Sequence, residues 1–234
     1  MSTVARIEPH PDAVRAVLDL VQPGLRQIEE SLRLLAASDD PILEPMLATV
    51  LPGSGKRMRP ALSLLIGRLG SPNAQALNRM AVGVELLHTA SLVHDDVVDE
   101  SEKRRGAATL YTRVGNALAV LVGDYLFSEA AQSCVATGNL RVVQLFAETL
   151  GSMARGQIAE ANAHRSSKTW RTLSREQYFS TIWGKTASLF VLACEGTGIL
   201  ANLSEPAIRA LRVYGESVGL AFQVVDDILD FTSS

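Results

Sequence analysis

Two acidic clusters, Asp95-Asp96-Val97-Val98-Asp99 and Asp226-Asp227-Ile228-Leu229-Asp230, repeat one DDxxD pattern far apart in the chain. In a helix, the first and fifth positions share a face about one turn apart. Asp95 and Asp99 therefore project together, as do Asp226 and Asp230, and each pair can hold a cation between two carboxylates. At about 4 Å and an effective dielectric near ~20, two like charges repel by about 4 kcal/mol, too much for an apolar setting without compensation. A divalent metal supplies that compensation most simply.

Two basic segments accompany the acids. Gly53-Ser54-Gly55-Lys56-Arg57-Met58-Arg59-Pro60 runs directly into the apolar stretch Ala61-Leu62-Ser63-Leu64-Leu65-Ile66. Pro60 fits a first helical turn, which places Lys56, Arg57 and Arg59 near a helix N-terminus, where free N–H groups and the macrodipole favour an anion. A solvated charge run is the plain alternative. A nucleotide P-loop fails, because Arg57 follows Lys56 and because Phe179 stands where Gly184-Lys185-Thr186 would need a first glycine. Lys103-Arg104-Arg105-Gly106 lies just beyond the first acidic motif. Arginine's planar fork suits phosphate oxygens, and Gly106 would let the loop approach a ligand closely. Surface pairing with the nearby acids is the alternative. A metal-bridged phosphate accounts for both signs of charge together.

These residues need a scaffold of helices. With 234 residues, 47% of them hydrophobic, the chain can bury a substantial core as one domain, residues 1–234. Helix formers dominate and alternating strand-like runs are hard to find, so the expected fold class is all-α. Breaks fall at Pro52-Gly53-Ser54-Gly55, Gly70-Ser71-Pro72-Asn73, Arg104-Arg105-Gly106, Thr137-Gly138-Asn139 and the polar stretch Asn162 to Thr172. Ser174 and Gln177 have capping-box spacing and open a helix expected to run through Trp183 toward Ala193. Ser204-Glu205-Pro206 starts the last helix, where Gly215 and Gly219 cost roughly 1 kcal/mol each relative to alanine and mark close packing.

The net charge of -3 and the lack of a long basic run exclude general nucleic-acid binding. Cys134 and Cys194 lack metal-ligand spacing and read as buried reduced thiols, which suits a cytoplasmic setting. The segment Met1 to Glu8 lacks the apolar core of a signal peptide. Asp124 and Glu129 interrupt the most apolar run, Ala117 to Ala136, so no transmembrane segment is expected.

Gly55-Lys56-Arg57-Met58-Arg59-Pro60, His94-Asp95-Asp96-Val97-Val98-Asp99-Glu100, Arg104-Arg105-Gly106, Gly184-Lys185-Thr186 and Phe222-Gln223-Val224-Val225-Asp226-Asp227-Ile228-Leu229-Asp230 occur in that order. The chain resembles trans-isoprenyl diphosphate synthases across nearly all of its length, most of all the long-chain polyprenyl synthases that make quinone side chains. The resemblance implies a bundle of the isoprenoid synthase type around a deep central cavity, with the acidic motifs facing each other at its mouth, and a homodimer. It implies condensation of isopentenyl diphosphate with an allylic diphosphate, with Mg2+ as cofactor.

By the same resemblance, Asp95, Asp99 and Asp226 ligate magnesium, and Asp96, Asp227 and Asp230 are further or water-mediated ligands. Arg104 and Lys185 contact the allylic diphosphate, while Lys56, Arg59, His88 and Arg105 match the isopentenyl diphosphate site. Thr186 and Gln223, with Lys185, form the catalytic set, placing oxygen dipoles near the allylic group. For His88 on its apolar helix, a satisfied core histidine is the alternative; for Lys185 and Thr186, an ordinary helix surface. Ala90 and Ser91, small residues one turn before Asp95, stand where bulky aromatics in relatives stop elongation early, so a product longer than geranylgeranyl diphosphate is expected. Ala107 and Ala108 depart from the lysine and proline of many relatives. The chain also ends soon after the second motif, where the resemblance implies a lysine- and aspartate-bearing loop and further helices. Three alternatives remain: a shorter-chain farnesyl or geranylgeranyl synthase, a terpene cyclase, against which the complete second motif argues, and a non-catalytic subunit of a heteromeric synthase.

Overall fold

The computed structural model describes residues 11–52, 55–166 and 174–232. The N-terminal segment, Gly53 and Ser54 of the first basic loop, and the second half of the polar stretch lie outside the described residues. The elements are α1 (Pro11–Asp19), α2 (Gln22–Ala36), α3 (Glu44–Val50), α4 (Met58–Gly67), α5 (Ala74–Val98), β1 (Lys103–Arg104), β2 (Ala107–Ala108), α6 (Leu110–Val114), α7 (Asn116–Val135), α8 (Leu140–Ser166) and α9 (Arg175–Ile182). They continue with a π-helical turn π1 (Trp183–Ala187), α10 (Ser188–Val191), a second such turn π2 (Leu192–Gly196), α11 (Thr197–Leu200) and α12 (Glu205–Thr232). The fold is all-α apart from one short hairpin.

Helix α5 is the central element. Asn73 opens it, its side chain accepting from the N–H groups of Gln75 and Ala76, which satisfies donors the first turn leaves free. Met80, Ala81, Val84, Leu86, Leu87, Ala90 and Val93 are all buried, so the helix is apolar around most of its circumference and packs along α7, with α2 and α4 also against it. Each fully buried leucine or methionine contributes about 1.5–3 kcal/mol. This rigid rod delivers the first acidic motif at its C-terminal end.

The capping box at α9 forms as expected: Ser174 accepts from the Gln177 N–H, and the Gln177 side chain accepts from the Ser174 N–H. The helix expected to continue smoothly to Ala193 does not. In π1 the Ser188 N–H reaches back to the Trp183 carbonyl, five residues away, instead of four. Such an insertion re-aims the side chains it carries. The segment is gripped tightly on both sides. A Cβ on Gly184 would stand 2.7 Å from the Ser152 carbonyl oxygen of α8, and one on Gly219 of α12 would stand 2.5 Å from the Ala187 Cα. The close packing expected of Gly219 is thus against π1.

The hairpin pairs Lys103 with Ala108 and Arg104 with Ala107. Its two turn residues, Arg105 at φ 50 and Gly106 at φ 81, are both left-handed, the signature of a tight two-residue turn. A Cβ on Gly106 would meet nothing within 4 Å. The glycine is therefore explained by its backbone angle and not by crowding.

Cys134 and Cys194 are buried free thiols, and burial pushes both up to about 12. Among the described residues no helix is long and apolar enough to cross a membrane.

Candidate active site

Asp95 and Asp96 occupy the last turn of α5, and Asp99 caps its end. Negative charge is disfavoured at a helix C-terminus, so this motif demands cations. Burial pushes the Asp95 carboxyl up to about 6; Lys185 opposes that rise, while Asp99 and Glu160 reinforce it. Asp96 is buried and likewise raised by burial, against the opposing pull of Arg104, whose Nε donates to Asp96 Oδ1 at 2.8 Å.

Lys185, on π1, meets the first motif directly. Its ammonium donates to Glu160 of α8 and stands 3.6 Å from Asp95 Oδ2. Burial works against that charge, but Asp95 and Glu160 together outweigh it and raise the Lys185 pKa.

Its neighbour Thr186 turns to the second motif. Thr186 Oγ1 donates to Gln223 Oε1 at 2.6 Å, Gln223 Nε2 donates to Asp227 Oδ1 at 2.8 Å, and the Tyr178 hydroxyl donates to Asp227 Oδ2 at 2.5 Å. Burial, then the Asp227 hydrogen bond and charge, pushes the Tyr178 phenol up to about 12. Asp226 and Asp230 are exposed on α12. Two consecutive residues of one widened turn thus reach the two acidic motifs.

The other basic residues gather around the preceding turns of α5, beside Glu85 and His88. Arg57 donates to Glu85 at 2.5 Å and to the Leu51 carbonyl at 3.1 Å, a nearly dry pair with side chains 10% and 7% exposed. Arg59 lies over the Phe190 ring, 4.4 Å from its centroid, and its Nε is buried without a hydrogen-bond partner among the described residues. Burial lowers Arg59 to about 10, partly offset by Glu85. His88 falls well below the ordinary histidine range, through burial and then through Arg59, Arg105, Arg104 and Arg57. Arg105 also reaches the first basic loop, with Nη1 3.5 Å from the place a Gly55 Cβ would occupy. Arg59, His88, Arg104 and Arg105 therefore converge, and Lys56 is exposed on the same loop.

Ala90 is fully buried in the core, whereas Ser91 is half-buried, its Oγ donating to the His88 carbonyl at 2.7 Å.

Residues 40–234 match the polyprenyl synthetase family. The chain belongs to that family. It is 34% identical to an octaprenyl diphosphate synthase of Haemophilus influenzae, over 95% of this chain and 66% of that protein. Among solved structures it is similar to a decaprenyl diphosphate synthase from Rhodobacter capsulatus, at TM-score 0.85 and 35% identity over 92% of this chain and 66% of that one. It is also similar to a polyprenyl synthase from Caulobacter crescentus complexed with calcium and isoprenyl diphosphate, at TM-score 0.86 and 33% identity over 94% and 66%. The chain spans about two thirds of the length of these relatives.

Among the described residues, no three Asp, Glu, His or Cys side chains converge into a cage that could hold a metal alone. Paired carboxylates with room for other oxygens suit magnesium, which keeps several waters and binds through one or two carboxylates plus phosphate. Asp95, Asp99, Asp226 and Asp230 could hold a divalent metal of this kind; Asp96 is paired with Arg104, and both oxygens of Asp227 accept from Gln223 and Tyr178. Sequence reasoning missed Glu85, Glu160, Tyr178 and Phe190. Tyr178 lies on the capped helix that leads into Lys185 and Thr186, a place in sequence that puts it near them.

Proposed function

We propose that residues 1–234 form a single domain that condenses isopentenyl diphosphate with an allylic diphosphate into a linear long-chain trans-polyprenyl diphosphate, as a cytoplasmic homodimer using Mg2+. One observation carries this reading: π1 sends Lys185 to the first acidic motif and Thr186, through Gln223, to the second. The motifs are thereby parts of one site, with a separate arginine cluster beside them for a second anion. Relatives named for octaprenyl and decaprenyl products support the long-chain assignment.

When bound, magnesium offsets the charge that grows on the departing diphosphate. Lys185 and Arg104 bind that leaving group, each exchanging a carboxylate partner for phosphate oxygens. The allylic C–O bond breaks with its electron pair going to the diphosphate. Thr186 Oγ and Gln223 Oε1 present oxygen dipoles to the allylic cation. Arg59, Arg105 and Lys56 bind the isopentenyl diphosphate, and His88, kept neutral by burial and then by its arginine neighbours, donates a hydrogen bond without adding charge. The isopentenyl double bond attacks the cation to form the new C–C bond, and the proton then lost goes to the released diphosphate. Two anions held by separate groups let one leave while the other stays intact.

The test is product analysis with radiolabelled isopentenyl diphosphate, farnesyl diphosphate and magnesium. Linear chains beyond twenty carbons support the reading. A cyclic hydrocarbon, or product only after a second polypeptide is added, would overturn it.

A further inference from the structure

We infer that Tyr178 is a positioning residue for the second acidic motif, fixing Asp227 so that Asp226 and Asp230 are left to face metal and diphosphate. The inference rests on the prenyltransferase reading above and adds a residue that no DDxxD, lysine or arginine motif contains.

Asp227 sits between two protein donors. Tyr178 on α9 takes Oδ2, at 2.5 Å, and Gln223, one turn earlier on α12, takes Oδ1, at 2.8 Å. A carboxylate whose two oxygens are both engaged has a fixed plane, and donors behind a metal site commonly set the orientation of the ligands in front. The same Gln223 accepts from Thr186, so the chain Thr186–Gln223–Asp227–Tyr178 spans π1, α12 and α9. Asp227 is half-buried, whereas Asp226 and Asp230 are exposed on the same helix. The division of labour follows: Asp227 anchors α12, and its neighbours remain open.

Tyr178 is suited to the anchoring role. Its ring packs edge-on to Phe179 with centroids 5.4 Å apart, and the capping box at Ser174 fixes the helix start just before it. Without the hydroxyl, Asp227 keeps a single donor and can rotate about its side-chain bonds. Gln223 and Thr186 would lose their alignment along with it.

The variant Tyr178→Phe keeps the ring and removes only the hydroxyl. Mn2+ binding in the presence of inorganic pyrophosphate, read from the resonance signal of free Mn2+, is compared among the unaltered protein, Tyr178→Phe and Asp226→Asn, beside thermal melting without metal. The expected result is that Tyr178→Phe weakens Mn2+ binding by about 10-fold or more while melting within a few degrees of the unaltered protein. Its half-saturating Mg2+ in turnover should rise in parallel, with kcat largely regained at saturating metal. Mn2+ binding unchanged in Tyr178→Phe but weakened in Asp226→Asn would overturn the inference alone. Binding unchanged in both would overturn the metal-clamp reading and the inference with it.

Discussion

Lys185 Nζ stands 3.6 Å from Asp95 Oδ2 while Glu160, from another helix, holds the same ammonium. This cation offsets part of the charge of the first acidic motif. On the proposed reading, a diphosphate bound with a divalent metal would give Lys185 a new anion and Asp95 a new cation, so both partners would be exchanged at once. Lys185→Ala should reduce kcat/KM for the allylic substrate by about 100- to 1,000-fold, the usual loss for one donor aimed at developing charge. Steady-state kinetics check this, and turnover equal to that of the unaltered enzyme would contradict it.

Asp95 predicts an opposition between function and stability. Its folded pKa of about 6 exceeds the ordinary carboxylate value of 3.8, so folding favours the protonated form. That favourable contribution is complete below 3.8 and is lost as pH rises through about 6. At pH 8 the buried charge is a liability of at most about 3 kcal/mol. Asp95→Asn should therefore raise the melting temperature in chelator at pH 8, by an amount that shrinks toward pH 5, while activity is lost. A variant that melts lower at pH 8 than the unaltered protein would contradict the argument.

Glu85 is the carboxylate that meets the arginine cluster from within α5, one turn before His88. Removing its charge breaks a nearly dry ion pair with Arg57, a change that costs about 3–5 kcal/mol in comparable buried pairs. Glu85→Gln should lower the urea midpoint accordingly. A shift under about 1 kcal/mol would mean that the pair is more hydrated than its burial indicates.

Chain length is better probed at Ser91 than at Ala90. Ser91 lies between His88 and Asp95 at helical spacing and is half-buried, whereas Ala90 is enclosed in the core, where added volume costs about 1–3 kcal/mol or more. Ser91→Phe should shorten the product by at least one five-carbon unit with little loss of stability. Unchanged product length would place the floor of the cavity elsewhere.

The acidic motifs, both basic loops and the capping box at Ser174 were legible because each is a local pattern of residue types with a fixed helical or turn geometry. The π turns were not. They change hydrogen-bond register without changing composition, and Trp183 to Gly196 reads as an ordinary apolar helix. Glu85, Glu160, Tyr178 and Phe190 were missed for a related reason: each acts through a partner far along the chain, as Tyr178 does on Asp227 and Phe190 on Arg59. Gly219 announced close packing, but only the fold names Ala187 as the surface it meets.

On the proposed reading, the two acidic motifs grip one diphosphate together. A double-mutant cycle of Asp95→Asn and Asp226→Asn tests it most directly, read as affinity for a farnesyl diphosphate analogue whose bridging oxygen is sulfur, with magnesium present. Strong coupling is expected, with either single variant losing most of the affinity and the double variant binding little more weakly than the singles. Losses that multiply independently would show two unconnected sites and contradict the account.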